Sequence, residues 1–129
     1  MARLPQQILA EAIELQQKKG QDYQNKNSTI KHADYYPRGV DTILDTMNGK
    51  LLRIRSLLEA IKNGDSQNFE SIQDSCIDLI NYSSFLASYI EGGIDGQNPN
   101  NDMFNQSKNL VKPHEIRQVN LGNSNDDDL

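Results

Sequence analysis

Apolar and polar positions alternate along this chain in three blocks with helical spacing. In the first, Leu4, Ile8, Leu9, Ala12, Ile13 and Leu15 recur at intervals of three and four, so the pattern predicts a helix from Leu4 to Lys19. Pro5 suits its first turn, where the missing N–H costs nothing, and Gly20 is the expected stop. The strongest signal follows: Val40, Ile43, Leu44, Met47, Leu51, Ile54, Leu58 and Ile61 keep the period over Val40 to Ile61. Gly49 interrupts that helix at some cost, which suggests a close contact with a neighbouring helix. After the turn Asn63-Gly64-Asp65, a cap at Asp65 or Ser66 starts a third helix that runs to about Glu91. Its main apolar face is Phe69, Ile72, Cys76, Leu79, Ile80, Leu86 and Ile90. Ile77, Tyr82, Phe85 and Tyr89 add apolar surface outside that face, so cover on more than one side is expected.

The connection from Gln21 to Arg38 has no clear period. It is polar up to the pair Tyr35-Tyr36, leaves room for a short helix around Thr29 to Asp34, and is long enough to suggest a functional loop. From Asp95 onward Asn, Gln, Asp, Gly and Ser dominate, and the chain closes on Asp126-Asp127-Asp128. Such a segment buries too little apolar surface to offset its ordering entropy. The expected fold is therefore all-α: a small helical bundle of three main helices over residues 1–94, with a disordered polar tail over 95–129.

Composition narrows the function. The 129-residue chain carries a net charge of −5, which argues against a general nucleic-acid binder but leaves room for a local cationic site. A core this small is marginal for a lone monomer, so a homo-oligomer is expected. The single Cys76 excludes an internal disulfide and is expected to behave as a small buried hydrophobe. His32 and His114 lack the spacing of a zinc site. No stretch resembles a signal peptide or is long enough to span a bilayer, so no membrane association and a cytoplasmic location are expected.

Chemistry concentrates on the third helix. At about 100° per residue, Glu70, Asp74, Asp78 and Asn81 fall on one narrow stripe. Three carboxylates so stacked repel one another, and no lysine or arginine on that helix relieves them. A solvated polar face is one reading. A Mg²⁺ site is the other, because that cation takes oxygen ligands from one or two carboxylates and from phosphates. Ile77 and Phe85 beside the stripe favour the second. On the preceding helix Lys50 and Arg53 share a flank that an antiparallel partner would bring to the stripe. They can pair with Asp74 or Asp78, or hold phosphate oxygens. At the start of the loop, Asp22 is a further candidate ligand or base, and Tyr23 a candidate for stacking on a nucleobase.

The segments Gly20-Gln21-Asp22-Tyr23, Lys50-Leu51-Leu52-Arg53 and Glu70-Ser71-Ile72-Gln73-Asp74 through Asp78-Leu79-Ile80-Asn81-Tyr82 together resemble the phage-encoded nucleotide-modification-associated domains. Those are similar to the MazG-like all-α nucleotide pyrophosphohydrolases. The resemblance spans residues from about 5 to 91, and its most specific part is the third-helix motif. It implies an oligomeric helical bundle that binds a nucleoside triphosphate or modified nucleotide with Mg²⁺. It also implies cleavage between the α and β phosphates. Glu70, Asp74 and Asp78 would then be metal-side acids, with Asp74 and Asp78 catalytic. Lys50 and Arg53 would bind phosphate, and Asp22, Tyr23, Asn81 and Tyr82 would contact the base or loop. The catalytic pyrophosphohydrolases carry Glu-Glu-x-x-Glu on the preceding helix, where this chain has Lys50 and Arg53, with Asp41 and Asp45 on another face. Nucleotide binding is thus implied more firmly than hydrolysis, and the alternatives are a non-catalytic nucleotide-binding module or an oligomeric interaction protein.

Overall fold

A computed structural model describes residues 2–98, and the expected tail from residue 99 onward, with His114, lies outside them. Three helices and one short 3₁₀ turn make up the fold, with no strand among the described residues. Helix α1 spans Pro5–Tyr23, α2 Val40–Lys62 and α3 Phe69–Ile90. None of the described helices is long and apolar enough to cross a membrane.

Local chemistry explains most of the boundaries. At the start of α1 the Leu4 N–H donates to the Gln7 side-chain oxygen at 2.7 Å, which satisfies one of the donors a helix start leaves orphaned. The helix does not stop at Gly20. It continues through Tyr23, and the Gln24 N–H closes it on the Gly20 carbonyl at 3.0 Å. The reason is tertiary: the Tyr23 ring lies flat on His32, 4.1 Å between centroids and 11° between planes, so packing fixes the last turn where local propensity would release it. The 3₁₀ turn at His32–Tyr35 falls at the end of the stretch expected to hide a short helix. Its Lys31 N–H donates to Asp34 Oδ2 at 2.8 Å.

Helix α2 begins after Gly39, whose φ of 60° and ψ of −129° are open to glycine and costly for other residues. The cap of helix α3 falls two to three residues later than expected. Asp65 belongs to the turn that closes α2, where its N–H donates to the Ala60 carbonyl at 3.0 Å. Asn68 precedes the first turn instead.

Helix α3 is the centre of the fold. It packs against α2 on one side and α1 on the other. Helix α2 runs antiparallel to it, since Val40 and Ile43 from its start meet Tyr89 from the end of α3. Helix α1 runs in the same sense as α3: Glu11 lies near Asp74, and Gln16 meets Asn81 and Ser84. The core gathers Ala33, Tyr36, Val40, Ile43, Tyr89 and Ile94, with Met47, Tyr82, Phe85, Leu86 and Ile90 packed around it. Residues past α3 complete it. The Ala33 N–H donates to the Asp95 carbonyl at 3.0 Å, the Ile94 N–H to Gln97 Oε1 at 2.6 Å, and Gln97 Nε2 to the Tyr89 carbonyl at 3.0 Å. Asp95 to Gln97, assigned by composition to the polar tail, are therefore tied into the helical domain.

Three further expectations change. The buried positions of α3 are Ser75, Ile77, Asn81 and Tyr89, and none of Phe69, Ile72, Cys76, Leu79, Ile80, Leu86 and Ile90 is fully buried. With two helices packed on different flanks of α3, burial follows the shared groove and not the widest apolar stripe. Cys76 is exposed, so it is not the buried hydrophobe that its apolar neighbours suggested. A side chain at Gly49 would meet nothing within 4 Å, so that glycine marks no close helix contact.

Candidate functional site: an acidic groove along the third helix

The stripe on α3 divides by depth. Glu70 sits exposed in the first turn, and Asp74 one turn on is also exposed. Asp78 is about a quarter exposed and pairs with Lys50 of α2, Nζ to Oδ2 3.0 Å. The ion pair expected between these two helices is therefore made, and it relieves the repulsion within the stripe. Asn81 is buried, and its Oδ1 accepts from Gln16 Nε2 at 3.1 Å. The same nitrogen lies 3.0 Å from Ser84 Oγ, which in turn donates to the Asn81 carbonyl at 2.7 Å. This amide acts as a strut between α1 and α3. Its carbonyl oxygen is satisfied, which is how buried polar groups avoid a desolvation cost.

Asp74 and Asp78 line an open groove of about 650 Å³ together with Ile77 and, from α1, Glu11, Glu14, Leu15 and Lys18. The groove thus lies between α1 and α3, with α2 reaching it through Lys50, rather than between α2 and α3 alone. Arg3 is ion-paired with Glu11. Glu14 and Asp74 have no ion-pair partner among the described residues. Four carboxylates and two lysines therefore converge from three helices. Among the described residues no three His, Cys, Asp or Glu side chains stand close enough together to hold a metal ion by themselves.

Two of the predicted metal and phosphate ligands stay outside this groove. Arg53 is exposed on α2 and makes no ion pair among the described residues, and Glu70 does not line the groove. Asp45 pairs with Arg38 on a different part of α2, as its separate face implied.

A second hollow of about 640 Å³ opens beside the end of α1. Gln17, Gln21, Tyr23, His32, Phe85 and Asp95 are among its lining residues. One face of the Tyr23 ring is taken by His32, and its edge meets Tyr35 at 5.0 Å between centroids. Tyr82 packs edge-on against Phe85 at 5.6 Å. Asp22 is exposed and borders neither hollow. His32 Nε2 lies 2.7 Å from the Tyr36 hydroxyl. Burial pushes the His32 imidazole below its usual range, partly opposed by Asp95. Burial likewise raises the Tyr23 phenol, with Tyr82, Tyr35 and Asp22 adding to the effect, and drives the Tyr36 phenol far above the normal range. These rings stay neutral at physiological pH and form a packed cluster.

Sequence reasoning missed Glu11, Glu14 and Lys18. Their spacing of three and seven places them on one flank of α1. It reads as an ordinary solvated flank until α1 is laid beside α3. Comparison with protein-family models, characterised proteins and solved structures finds no match to this chain.

Proposed function

We propose that this protein binds a Mg²⁺-complexed nucleoside phosphate in the groove between α1 and α3, as the resemblance to nucleotide-modification-associated domains implies. Its finer form is a (d)NTP pyrophosphohydrolase of phage-type nucleotide metabolism, working in the host-cell cytoplasm. The observation that carries the reading is the meeting of Glu11 and Glu14 with Asp74 and Asp78 across one groove, with Lys18 and Lys50 at hand. The acids absent from α2 are thereby matched by a Glu-x-x-Glu pair on α1.

The donor set fits a hard cation shared with phosphate. Mg²⁺ commonly uses one or two carboxylates and completes its shell with substrate phosphates and water. No preassembled trio of acids is then needed. When bound, the cation would neutralise phosphate charge and polarise the phosphoryl oxygens. Asp74 and Asp78 would hold it. Lys18 and Lys50 would take phosphate oxygens. Lys50 can leave Asp78 cheaply, because a partly exposed ion pair contributes about 1 kcal/mol or less. Glu14, opposite the two aspartates and without an ion pair among the described residues, would accept the proton of an attacking water.

Incubating the protein with a panel of (d)NTPs and Mg²⁺ tests this, with monophosphate and pyrophosphate as the products measured. The expected result is pyrophosphate release that drops about a hundredfold or more in Asp74→Asn and Glu14→Gln. The lack of three mutually close acids favours one second reading, a non-catalytic nucleotide-binding module. It predicts a nucleotide-dependent rise in melting temperature with no product. Neither turnover nor a thermal shift for any nucleotide rejects both.

A further inference from the structure

The apolar surface of α2 is only partly used within the chain. Val40 and Ile43 are buried, but no residue from Leu44 to Asp74 is. Leu44, Leu51 and Leu58 recur every seven residues, and each remains 40–48% exposed. Met47, Ile54 and Ile61 lie beside them at the complementary three- and four-residue spacing and are only partly covered. Apolar residues at a and d of a seven-residue repeat form the seam by which helices pair.

Charge selects the occupant and its direction. Along the outer flank of the seam, at the same seven-residue interval, stand Asp41, Asn48, Arg55 and Lys62, all exposed. The flank is acidic at its start and basic at its end. Aligned in parallel, two such helices would bring this flank against the partner's other flank and set Arg55 beside Lys50, cation against cation. Turned antiparallel about Leu51, they set Asp41 beside Lys62 and Asn48 beside Arg55, twice over. None of these four residues has an ion pair among the described residues, so all are available. Lys50 points elsewhere, to Asp78 in the acidic groove.

We infer that α2 pairs antiparallel with α2 of a second copy of this chain through Leu44, Leu51 and Leu58. The two-fold axis passes at Leu51, and Leu44 of each copy packs near Leu58 of the other. The inference is independent of the proposed nucleotide site, which lies between α1 and α3 and is reached from α2 through Lys50.

Mass measurement by light scattering over a concentration series, joined to cysteine cross-linking, tests it. The unaltered chain should reach twice 14.6 kDa. Leu51→Glu, at a half-exposed position, should keep its circular dichroism and return to the monomer mass. Asp41→Lys or Lys62→Asp alone should weaken association about tenfold, through lost pairs and new repulsions. The two together should restore it. In a Cys76→Ser background, a mixture of Leu44→Cys chains with Leu58→Cys chains should cross-link on oxidation, while neither does so alone. A monomer mass at every concentration, an unaltered mass for Leu51→Glu, failure of the double charge swap to recover, or self-cross-linking of Leu44→Cys chains would overturn the inference.

Discussion

Where α2 begins and α3 ends, Val40, Ile43 and Tyr89 are enclosed by the 3₁₀ turn and by residues 94–97 folding back over them. At the opposite end of the same helix pair, from Leu51 through the turn to Phe69, leucine and isoleucine are as plentiful, yet none is buried. The helices and their periodicity are alike at both ends. What differs is the number of chain segments that converge. Two helices side by side can cover only one stripe of each, and a closed core needs a third and fourth wall. The loop and the segment after α3 supply those walls at one end only. In the lone chain, local stability should therefore be unevenly distributed along the pair, as it is between well-packed and poorly packed regions of other proteins.

The contrast can be broken at its strongest point. Ile43→Ala empties a fully enclosed position and should cost about 3 kcal/mol in urea unfolding. Leu58→Ala, at a half-exposed position of the open end, should cost about 1 kcal/mol or less at dilutions where the chain is monomeric. Equal losses would show that the two ends share one core. Next in size are the glycines that let the closing segments turn. Gly39→Ala forces a side chain into its φ of 60°, at about 1–3 kcal/mol. Gly96→Ala meets both a φ of 86° and the Lys31 side chain, and should loosen the contact between the 3₁₀ turn and Asp95 by a similar amount.

Acidity and alkalinity should act on the closed end through His32 and Tyr36. His32 is held below its normal value of 6.5, so below that pH the unfolded chain binds the extra proton first, and stability should fall as pH drops from about 6.5. Tyr36 is held above its normal value of 10.0, so above pH 10 the unfolded phenol ionises first and stability should fall as pH rises. Melting curves of His32→Phe should lose the acid limb, and those of Tyr36→Phe should weaken the alkaline one. The smallest effect belongs to the open side. Gly49→Ala adds a side chain where nothing stands within 4 Å and should stabilise the chain by about 0.5–1 kcal/mol. A loss there would reveal a neighbour.

Periodicity made the three helices readable, because apolar spacing is a property of the chain itself. Helix ends were less so. Gly20 and Asp65 carry the residue types of a stop and a cap, but Tyr23 on His32 and the Asp65 N–H on Ala60 assign them other roles. The enclosing walls left no trace in any pattern. Ala33, Tyr36 and Ile94 lie in stretches without a period, and only tertiary closure makes them core. The candidate site divides in the same way. Asp74, Asp78 and Lys50 were legible because a helical wheel and a short turn suffice to bring them together. Glu11, Glu14 and Lys18 were not, because their partners lie more than fifty residues away in sequence, and no local rule tells which flank of α1 meets α3.

The stitch from Gln97 back to Tyr89 has a practical reach. Shortening the chain at Glu91, where the last helix ends, would strip the Ile94 plug and the carbonyl that receives the Ala33 N–H, uncovering the aromatic cluster. Trimming just after Asn98 keeps that fastening, so a fragment for crystallisation or spectroscopy should begin with Arg3 and end there.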